Sequence, residues 1–358
     1  MNIYTEFAEY MGPPGDKNIG IAMSGGVDSS TCAALMRQAG FNTVGITLQL
    51  NKDKISSCCS ESDINDAREV ALKMDFNHQV LNYSNVFKEH VIDDFVREYA
   101  GGRTPSPCVR CNQKVKFGQL IDFMGALDFE YIATGHYVMH RLNPVSKEIE
   151  FWRPKDKHKD QTYFMCLVPK DAMQKIRFPL GIYTKDEIRS IATEMGLKVA
   201  RKRDSQDLCF VQNGKYAEVL KKLAHNMNRG LIINVAGEIV GHHAGIENYT
   251  VGQRKGIEVP GGPWFVVSIV QEENKLVIGR ESDLLKNSFK VDSLNLTLDG
   301  PIPALLAQVR SRHKPIECIL HATTGEVELI DENCCASPGQ MCAFYLGDRL
   351  VGGGRIIA

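Results

Sequence analysis

A glycine- and serine-rich turn near the start of the chain is the clearest sign of chemistry in this sequence. The turn reads SGGVDSS, from Ser24 to Ser30, and it lies between a short apolar run and a helical pattern. Paired glycines let the backbone turn tightly enough for amide N–H groups to face an anion, and a following helix adds its positive N-terminal end. The turn therefore predicts a phosphate-binding loop. It is not a Walker A loop, since no Gly-Lys-Ser/Thr follows.

Asp28 is the unusual member of this turn. A carboxylate beside phosphates is repulsive unless Mg²⁺ lies between them or the carboxylate caps the helix. Both explanations remain open at this point.

Cysteines form the second group of candidate residues, with eleven in the chain. Cys108 and Cys111 make a C-x-x-C in TPSPCVRCN, and Cys209 lies in DSQDLCF after the basic run Arg201–Arg203. Nearby positive charge favours the thiolate, the nucleophilic form of cysteine. Cys58 and Cys59 are adjacent and suit a shared metal, a relay thiol or incidental thiols in a polar loop. The remaining six are most simply structural: Cys32, Cys166, Cys318, Cys334, Cys335 and Cys342.

Alternating strand and helix patterns position these residues. Short apolar strands alternate with helices, one of them from Val86 to Tyr99, up to about residue 165, which predicts a doubly wound parallel α/β sheet. From 166 to 228 the pattern is helical and includes a helix from Tyr216 to Ala224. From 229 to 358 short strands separated by Gly, Asn and Asp predict a small β-barrel. We therefore expect three domains, at 1–165, 166–228 and 229–358.

Composition excludes several classes of protein. The 358 residues are 43% apolar and 24% charged, which argues against general disorder, and the net charge of −1 gives no global basic field. The polar N-terminus has no apolar signal core, and no run approaches the roughly 18 apolar residues of a membrane helix. These features predict a cytoplasmic protein without a membrane partner, in which disulfide scaffolds are improbable.

The ordered motifs resemble a known family. SGGVDSS resembles the PP-loop of the ATP pyrophosphatases. Together with the cysteine motifs it is similar, over essentially the whole chain, to the tRNA-specific 2-thiouridylase family. The further matches are TGHY (Thr134–Tyr137), KDQTYF (Lys159–Phe164), GQRKG (Gly252–Gly256) and SPGQ (Ser337–Gln340). The resemblance implies a PP-loop domain, a helical central domain and a C-terminal β-barrel.

The resemblance also implies a reaction. The family replaces O2 of the wobble uridine, U34, in the tRNAs for Lys, Glu and Gln with sulfur, giving 2-thiouridine, AMP and pyrophosphate. ATP with Mg²⁺ adenylates O2 of a flipped-out base. Cys209 matches the position that carries persulfide sulfur, and Cys111 matches the second catalytic cysteine, which leaves a disulfide to be reduced. A persulfide-donating sulfur carrier or cysteine desulfurase is the implied partner.

Further residues carry over from the family by position. Those matching its ATP site are Ala22, Met23, Ser24, Gly25, Gly26, Val27, Asp28, Ser29, Leu48 and Gly135. Those matching its contacts with the target base and tRNA are Ser106, Pro107, Cys108, His136, Lys159, Asp160, Gln161, Arg310, Ser311 and Gln340. Each tRNA contact has a structural alternative, such as a capping His136 or a turn-forming Gln340.

Cys108 departs from a familiar form of the family, which has Asp at this position. With Cys111 and Cys209 it completes a set of three cysteines that suits a [4Fe–4S] cluster carrying an extra sulfide, or Zn²⁺ with a fourth ligand. A spare thiol is the third possibility. The metal content and the sulfur source stay open on the sequence.

Two other functions remain as alternatives. The first is another PP-loop adenylating enzyme acting on RNA, which would not need the pair Cys111 and Cys209. The second is a non-catalytic sulfur carrier or tRNA-binding protein, which would not need the PP-loop.

Overall fold

The computed structural model describes residues 3–50, 60–203, 208–211, 228–298 and 300–357. Its helices are α1 (Ile3–Met11), α2 (Val27–Gln38), α3 (Glu61–Lys73), α4 (Ser84–Phe87), α5 (Asp93–Ala100), α6 (Pro107–Arg110), α7 (Leu120–Ala126), α8 (Lys170–Gln174) and α9 (Lys185–Glu194). Stretches of π-helix cover Lys88–Ile92 and Cys111–Gln119. Short 3₁₀ turns cover Lys157–Lys159, Thr162–Met165, Lys198–Arg201, Ile246–Asn248 and Glu281–Asp283.

The strands fall into two series along the chain. The first series is β1 (Ile19–Ala22), β2 (Thr43–Gln49), β3 (Asn77–Asn82), β4 (Ile132–Thr134), β5 (Met139–Leu142), β6 (Ile149–Trp152) and β7 (Ile176–Arg177). The second is β8 (Gly230–Asn234), β9 (Ile239–His243), β10 (Phe265–Val270), β11 (Lys275–Gly279), β12 (Ser288–Leu296), β13 (Leu305–Gln308), β14 (Ile316–His321), β15 (Glu326–Leu329), β16 (Met341–Leu346) and β17 (Arg349–Ile356).

The chain separates into two compact units, and the first carries the parallel sheet. This unit comprises Met1–His90, Cys111–Gly214 and Asp348–Leu350. Its five strands run in the order β3-β2-β1-β4-β7, and every pair is parallel. The apolar strand β1 lies at the centre of the sheet because helices cover both of its faces. The carboxyl ends of β2, β1 and β4 consequently meet at one edge.

The core of this unit explains why α2 and α9 pack as they do. Both helices turn apolar residues into one buried cluster with the sheet, including Ile21, Leu35, Ile188 and Ile191. On α9 the apolar residues recur three residues apart, which gives the helix one buried face. A separate hairpin, β5–β6, pairs antiparallel and is extended by Arg349 and Leu350.

The second unit is mainly β-structure. It comprises Val91–Arg110, Lys215–Gly347 and Val351–Ala358. Four strands form a sheet in the order β10-β11-β8-β9. The strands β12-β15-β14-β13-β16-β17 follow one another, and β12 pairs with β17 to close a barrel. Strict alternation of buried and exposed residues along β14 is the pattern expected when one face of a strand lines a barrel core.

The predicted fold class is confirmed: a parallel α/β domain is combined with a helical segment and a C-terminal β-barrel. One detail is wrong, because the single helix expected from Val86 to Tyr99 is interrupted by the π-helical stretch Lys88–Ile92, whose extra residue per turn shifts the helix face. The helix expected at residues 216–224 lies outside the described residues. The boundaries 1–165, 166–228 and 229–358 stay a prediction. Among the described residues, no helix is long and apolar enough to span a membrane.

Candidate active site

The turn after β1 is shaped by serine hydrogen bonds and by one obligatory glycine. The Ser24 backbone N–H donates to Oγ of Ser29 at 3.1 Å, and the Ser29 hydroxyl donates to the Gly26 carbonyl at 3.3 Å. Gly25 has a φ of +69°, and a Cβ there would lie 2.1 Å from the carbonyl oxygen of Asp63. Only glycine fits this position. These contacts fix the backbone conformation of the turn at the N-terminus of α2. We call the backbone of Ser24–Gly26 the cradle.

The residues expected to bind ATP come together at one edge of the parallel sheet. Ala22 lies opposite Ile46 of β2 and Thr134 of β4, so the turns after these strands are neighbours. A Cβ on Gly135 would lie 2.8 Å from the backbone nitrogen of Ser29, so this glycine packs directly against the first turn of α2. Leu48 is buried near the end of β2. The strand order reverses at β1, which is where open α/β sheets bind ligands.

Asp28 does not cap α2, and its carboxylate accepts hydrogen bonds from other side chains. Gly26 occupies the N-cap of α2 without a side-chain cap hydrogen bond. The Lys185 ammonium donates to both carboxylate oxygens of Asp28 at 2.7 Å, and the Tyr137 hydroxyl donates to Oδ1 at 2.9 Å. The repulsion expected between Asp28 and phosphate is thus offset by a lysine that the sequence motifs do not include.

Lys202 forms a second anchor for the same turn. Its ammonium donates to the Gly25 carbonyl at 3.0 Å and to Asp63 at 2.7 Å, and it also donates to Asp66. Burial lowers the pKa of Lys202 and the two carboxylates raise it, and the net shift is upward. Asp63 also makes a capping box with Ser60 at the start of α3. The basic run before Cys209 is therefore tied to the phosphate-binding turn.

Cys111 begins a π-helical stretch and is 6% exposed. The next residue, Asn112, is buried and donates to the Phe164 carbonyl at 3.0 Å, which links TPSPCVRCN to KDQTYF. Stretches of π-helix are frequent at functional sites because they re-aim side chains out of α-helical register. Lys114 and Lys116 belong to the same stretch.

Cys209 lies in a turn and is partly exposed. The Phe210 side chain that follows it is buried and meets the Phe87 ring edge-on, with 5.9 Å between ring centroids. Phe87 closes α4, and α4 also contacts the π-helical stretch that begins with Cys111. Both cysteine segments therefore lie against the same short helix in one unit.

A metal centre on Cys108, Cys111 and Cys209 would draw its ligands from both units, since Cys108 belongs to the second unit and the other two to the first. Within the described ranges, which include Cys108, Cys111 and Cys209, no three His, Cys, Asp or Glu side chains are gathered as metal ligands. A cluster or zinc site on these three cysteines stays a prediction. Cys58 and Cys59 lie outside the described residues.

The TGHY and KDQTYF motifs bind each other through backbone and side-chain hydrogen bonds. The Tyr137 backbone N–H donates to Oε1 of Gln161 at 2.8 Å, and the Gln161 N–H returns a bond to the Tyr137 carbonyl. Asp160 accepts from Arg153 and from the Thr162 hydroxyl. These contacts explain the conformation of both motifs. A tRNA contact at Lys159, Asp160 or Gln161 stays a prediction.

His136 faces an aromatic environment. Its Nδ1 lies 2.9 Å from the Thr134 hydroxyl, and its ring centroid lies 6.0 Å from that of Phe117 and 6.4 Å from that of Phe178. Burial, reinforced by the Lys116 charge, holds the pKa of His136 well below its ordinary value. Its imidazole is neutral at physiological pH, so any contact with RNA is a hydrogen bond or a stacking contact.

In the second unit, SPGQ holds the loop expected to meet the target base. The Gln340 amide donates to the carbonyls of Thr104 and Pro105 at 3.1 and 3.0 Å. The Thr104 N–H donates to the Pro338 carbonyl at 2.8 Å, and a Cβ on Gly339 would lie 2.8 Å from Thr104 backbone atoms. Gln340 thus supports the backbone immediately before Ser106, Pro107 and Cys108. Ser106 and Pro107 are buried, whereas Cys108 is exposed.

Arg310 and Ser311 lie after β13 in the same unit. The Arg310 guanidinium donates to the Ser337 hydroxyl at 2.6 Å and to the Val251 carbonyl at 3.2 Å. The Gln308 amide donates to the carbonyls of Arg310 and Ser311 and shapes their turn. Arg310 therefore joins SPGQ to the start of GQRKG. Its contact with tRNA, like that of the exposed Ser311, stays a prediction.

Family models match the chain in three consecutive parts. The tRNA methyl transferase HUP domain matches residues 17–213, the tRNA methyl transferase PRC-barrel domain 217–280, and the aminomethyltransferase beta-barrel domain 286–356. The tRNA-specific 2-thiouridylase MnmA of Anaplasma marginale is 41% identical over 357 residues, covering 96% of this chain and 92% of the relative. The protein of the same name from Orientia tsutsugamushi is 42% identical over 352 residues, covering 94% of each. The chain belongs to the tRNA-specific 2-thiouridylase family.

The family predicted from the motifs is thereby confirmed over nearly the full length of this 2-thiouridylase homologue. Among solved structures, the U34-tRNA thiolase NcsA from Methanococcus maripaludis with its [4Fe-4S] cluster is similar at a TM-score of 0.39 and 16% identity. That likeness covers 61% of this chain and 69% of that one. It is too distant to support any assignment of metal or mechanism here.

Sequence reasoning missed three residues of this site: Lys185, Lys202 as an anchor, and Gln340 as a support of the Thr104 loop. Lys202 lay in a basic run that was read only as a source of charge for Cys209. Lys185 carried one signal, because a lysine in the first turn of a helix opposes the helix dipole. Its partner Asp28 is 157 residues away in sequence, so no local pattern reveals the pair.

Proposed function

We propose that this protein thiolates a uridine of tRNA in an ATP-dependent reaction, at the C2 position of the wobble base U34. The observation that supports this proposal best is that one unit contains both the cradle, which can bind an anion, and two cysteine segments that lie against α4. The names of the full-length relatives support the same activity. Neither a simple RNA-binding protein nor a sulfur carrier accounts for the cradle at Ser24–Gly26.

Adenylation comes first in the proposed reaction. The cradle and the N-terminus of α2 bind the phosphates of ATP, with Mg²⁺ as the counter-ion of the nucleotide. O2 of the flipped uridine attacks the α-phosphorus and pyrophosphate leaves, which makes O2 part of a good leaving group. The loop that includes Ser106, Pro107 and Cys108 is proposed to hold the base, with Gln340 supporting its backbone.

Sulfur transfer follows, with Cys209 as the proposed carrier. A persulfide donor, either a sulfur carrier or a cysteine desulfurase, passes its outer sulfur to the Cys209 thiolate and keeps its own thiol. The Cys111 thiolate then attacks the inner sulfur, hydrosulfide leaves and displaces AMP from C2, and a Cys111–Cys209 disulfide remains. A dithiol reductant supplies two electrons and two protons to restore both thiols.

The finer assignments are part of the same proposal. The substrates are the tRNAs for Lys, Glu and Gln, which carry a modifiable uridine at position 34, and the location is the cytoplasm. A [4Fe–4S] cluster on Cys108, Cys111 and Cys209 is the alternative sulfur source. The two-cysteine route is preferred because both of its cysteines belong to the first unit, in segments that lie against α4.

One assay tests this proposal directly. The protein is incubated with unmodified tRNA, ATP, Mg²⁺, a cysteine desulfurase with L-cysteine as the persulfide source, and a dithiol reductant, and digested tRNA is analysed by mass spectrometry. We expect 2-thiouridine at position 34, with AMP and pyrophosphate formed in equal amounts. Pyrophosphate release without thiolated base would favour a different adenylating enzyme. Binding of tRNA with neither product would contradict an enzymatic role.

A further inference from the structure

Lys185 is a buried cation at the unfavourable end of its helix. It is the first residue of α9, where the helix dipole opposes positive charge, and its side chain is 9% exposed. Lysine ammonium groups normally remain in water. A residue that departs from both rules needs a compensating partner, and such departures concentrate at functional sites.

Asp28 is that partner, and it lies in the first turn of α2 beside the phosphate cradle. Both of its carboxylate oxygens accept from Lys185 at 2.7 Å, and its side chain is 30% exposed. The backbone of Asp28 is fixed from the other side, since a Cβ on Gly135 would lie 2.8 Å from its carbonyl carbon. The Asp28 carboxylate is therefore held in a position where the Lys185 ammonium compensates its negative charge.

We propose that Lys185 is a positioning residue of the nucleotide site, which neutralises Asp28 so that the adjacent cradle accepts the phosphates of ATP. This inference rests on the proposed use of ATP. Without the ammonium, an uncompensated carboxylate would share the first turn of α2 with the nucleotide and repel it. The helix dipole alone offsets only part of one charge.

The geometry also gives Asp28 a structural role. Because both of its oxygens accept from Lys185, the charge pair holds α9 against α2. The helix cap considered on the sequence is excluded, since Gly26 occupies the N-cap of α2.

A double-mutant cycle separates a positioning role from direct contact with ATP. The variants are Lys185→Met, Asp28→Asn, the double variant that carries both substitutions, and Lys155→Met as a matched control. Lys155 pairs with Glu187 of α9, and these side chains are 45% and 38% exposed, against 9% for Lys185. The readouts are KM for ATP and kcat in tRNA-dependent pyrophosphate release, with thermal unfolding as a check of folding.

We expect Lys185→Met to raise KM for ATP at least about tenfold, with a smaller change in kcat, because the repulsion acts on nucleotide binding. The double variant should recover most of that loss, and Lys155→Met should match wild type. If Lys185→Met does not fold, a folded double variant with near-normal KM still supports compensation of Asp28.

Two outcomes would overturn the inference. A double variant as impaired as Lys185→Met would mean that the lysine acts on ATP itself, and an unchanged KM in Lys185→Met would mean that the pair is irrelevant to binding. Wild-type protein that releases no pyrophosphate would instead refute the proposed function, so the two failures are distinguishable.

Discussion

Cys166 and Cys318 are examples of cysteines that pack in the core of this chain. Both are fully buried, and burial raises the pKa of each thiol to about 12, so both stay protonated at neutral pH. Cys209 differs because its side chain is partly exposed and follows a basic run. Cys111 is buried but begins a stretch with two lysines. The surroundings of Cys209 thus differ from those of Cys166 and Cys318, and the roles of Cys111 and Cys209 as nucleophiles stay a prediction.

The first prediction concerns these two thiols. Cys111→Ser and Cys209→Ser should each reduce 2-thiouridine formation below about one thousandth of wild type, because a hydroxyl cannot carry or release sulfur. Binding of tRNA should be nearly unchanged. The checks are mass spectrometry of digested tRNA and a filter-binding titration. Near-normal turnover in either variant would refute its assignment.

Cys108 gives the second prediction. If sulfur transfer uses only Cys111 and Cys209, Cys108→Ser should retain thiolation within about threefold, because serine keeps the size and hydrogen-bonding capacity of the side chain in the base-binding loop. Protein purified and reconstituted without oxygen should then contain no stoichiometric iron and no absorbance near about 400 nm. Loss of activity in Cys108→Ser together with loss of bound iron would establish the cluster route instead.

At the scale of elements, α3 and the 3₁₀ turn Lys198–Arg201 are joined by two different lysine contacts. Lys202 reaches Asp63, Asp66 and the Gly25 carbonyl, whereas Lys198 pairs with Glu69 on the surface. Only the first links α3 to the phosphate-binding turn. Exposed ion pairs contribute little to stability, and partly buried ones that also bind backbone contribute more.

The third prediction follows from that difference. Lys202→Met leaves two carboxylates uncompensated beside Gly25, so kcat/KM for ATP should fall roughly tenfold. Lys198→Met should leave it unchanged, since that pair is 80% and 50% exposed. Steady-state pyrophosphate release with saturating tRNA is the measurement. Equal effects from the two substitutions would show that Lys202 does not act through the turn.

At the scale of the whole molecule, most of the architecture could be predicted from sequence. The βα alternation, the glycine turn after β1 and the short barrel strands are local patterns, and the structure bears them out. What could not be predicted are contacts between distant segments, such as Lys185 with Asp28 or Gln340 with Thr104. They depend on tertiary packing, and no residue type or spacing marks them beforehand. The π-helical stretch Lys88–Ile92 was not predicted for a related reason, because the hydrophobic spacing of this segment also fits a continuous α-helix.

The fourth prediction concerns binding of the whole tRNA. Phosphate contacts dominate such binding and release counter-ions, so affinity should fall at least about tenfold between about 50 and 200 mM salt, despite the net charge of −1. Lys159→Gln should lower the slope of log affinity against log salt by about one if that residue meets a phosphate. Fluorescence anisotropy over a salt series measures both quantities, and a salt-independent affinity would contradict an electrostatic tRNA surface.

The buried Phe210 ring against Phe87 has a mechanical consequence for the sulfur that its neighbour is proposed to carry. Because Phe210 is buried against Phe87, the backbone of Cys209 is anchored on its C-terminal side. We therefore expect the transferred sulfur to be confined to a small range of positions, which favours accurate delivery over long reach.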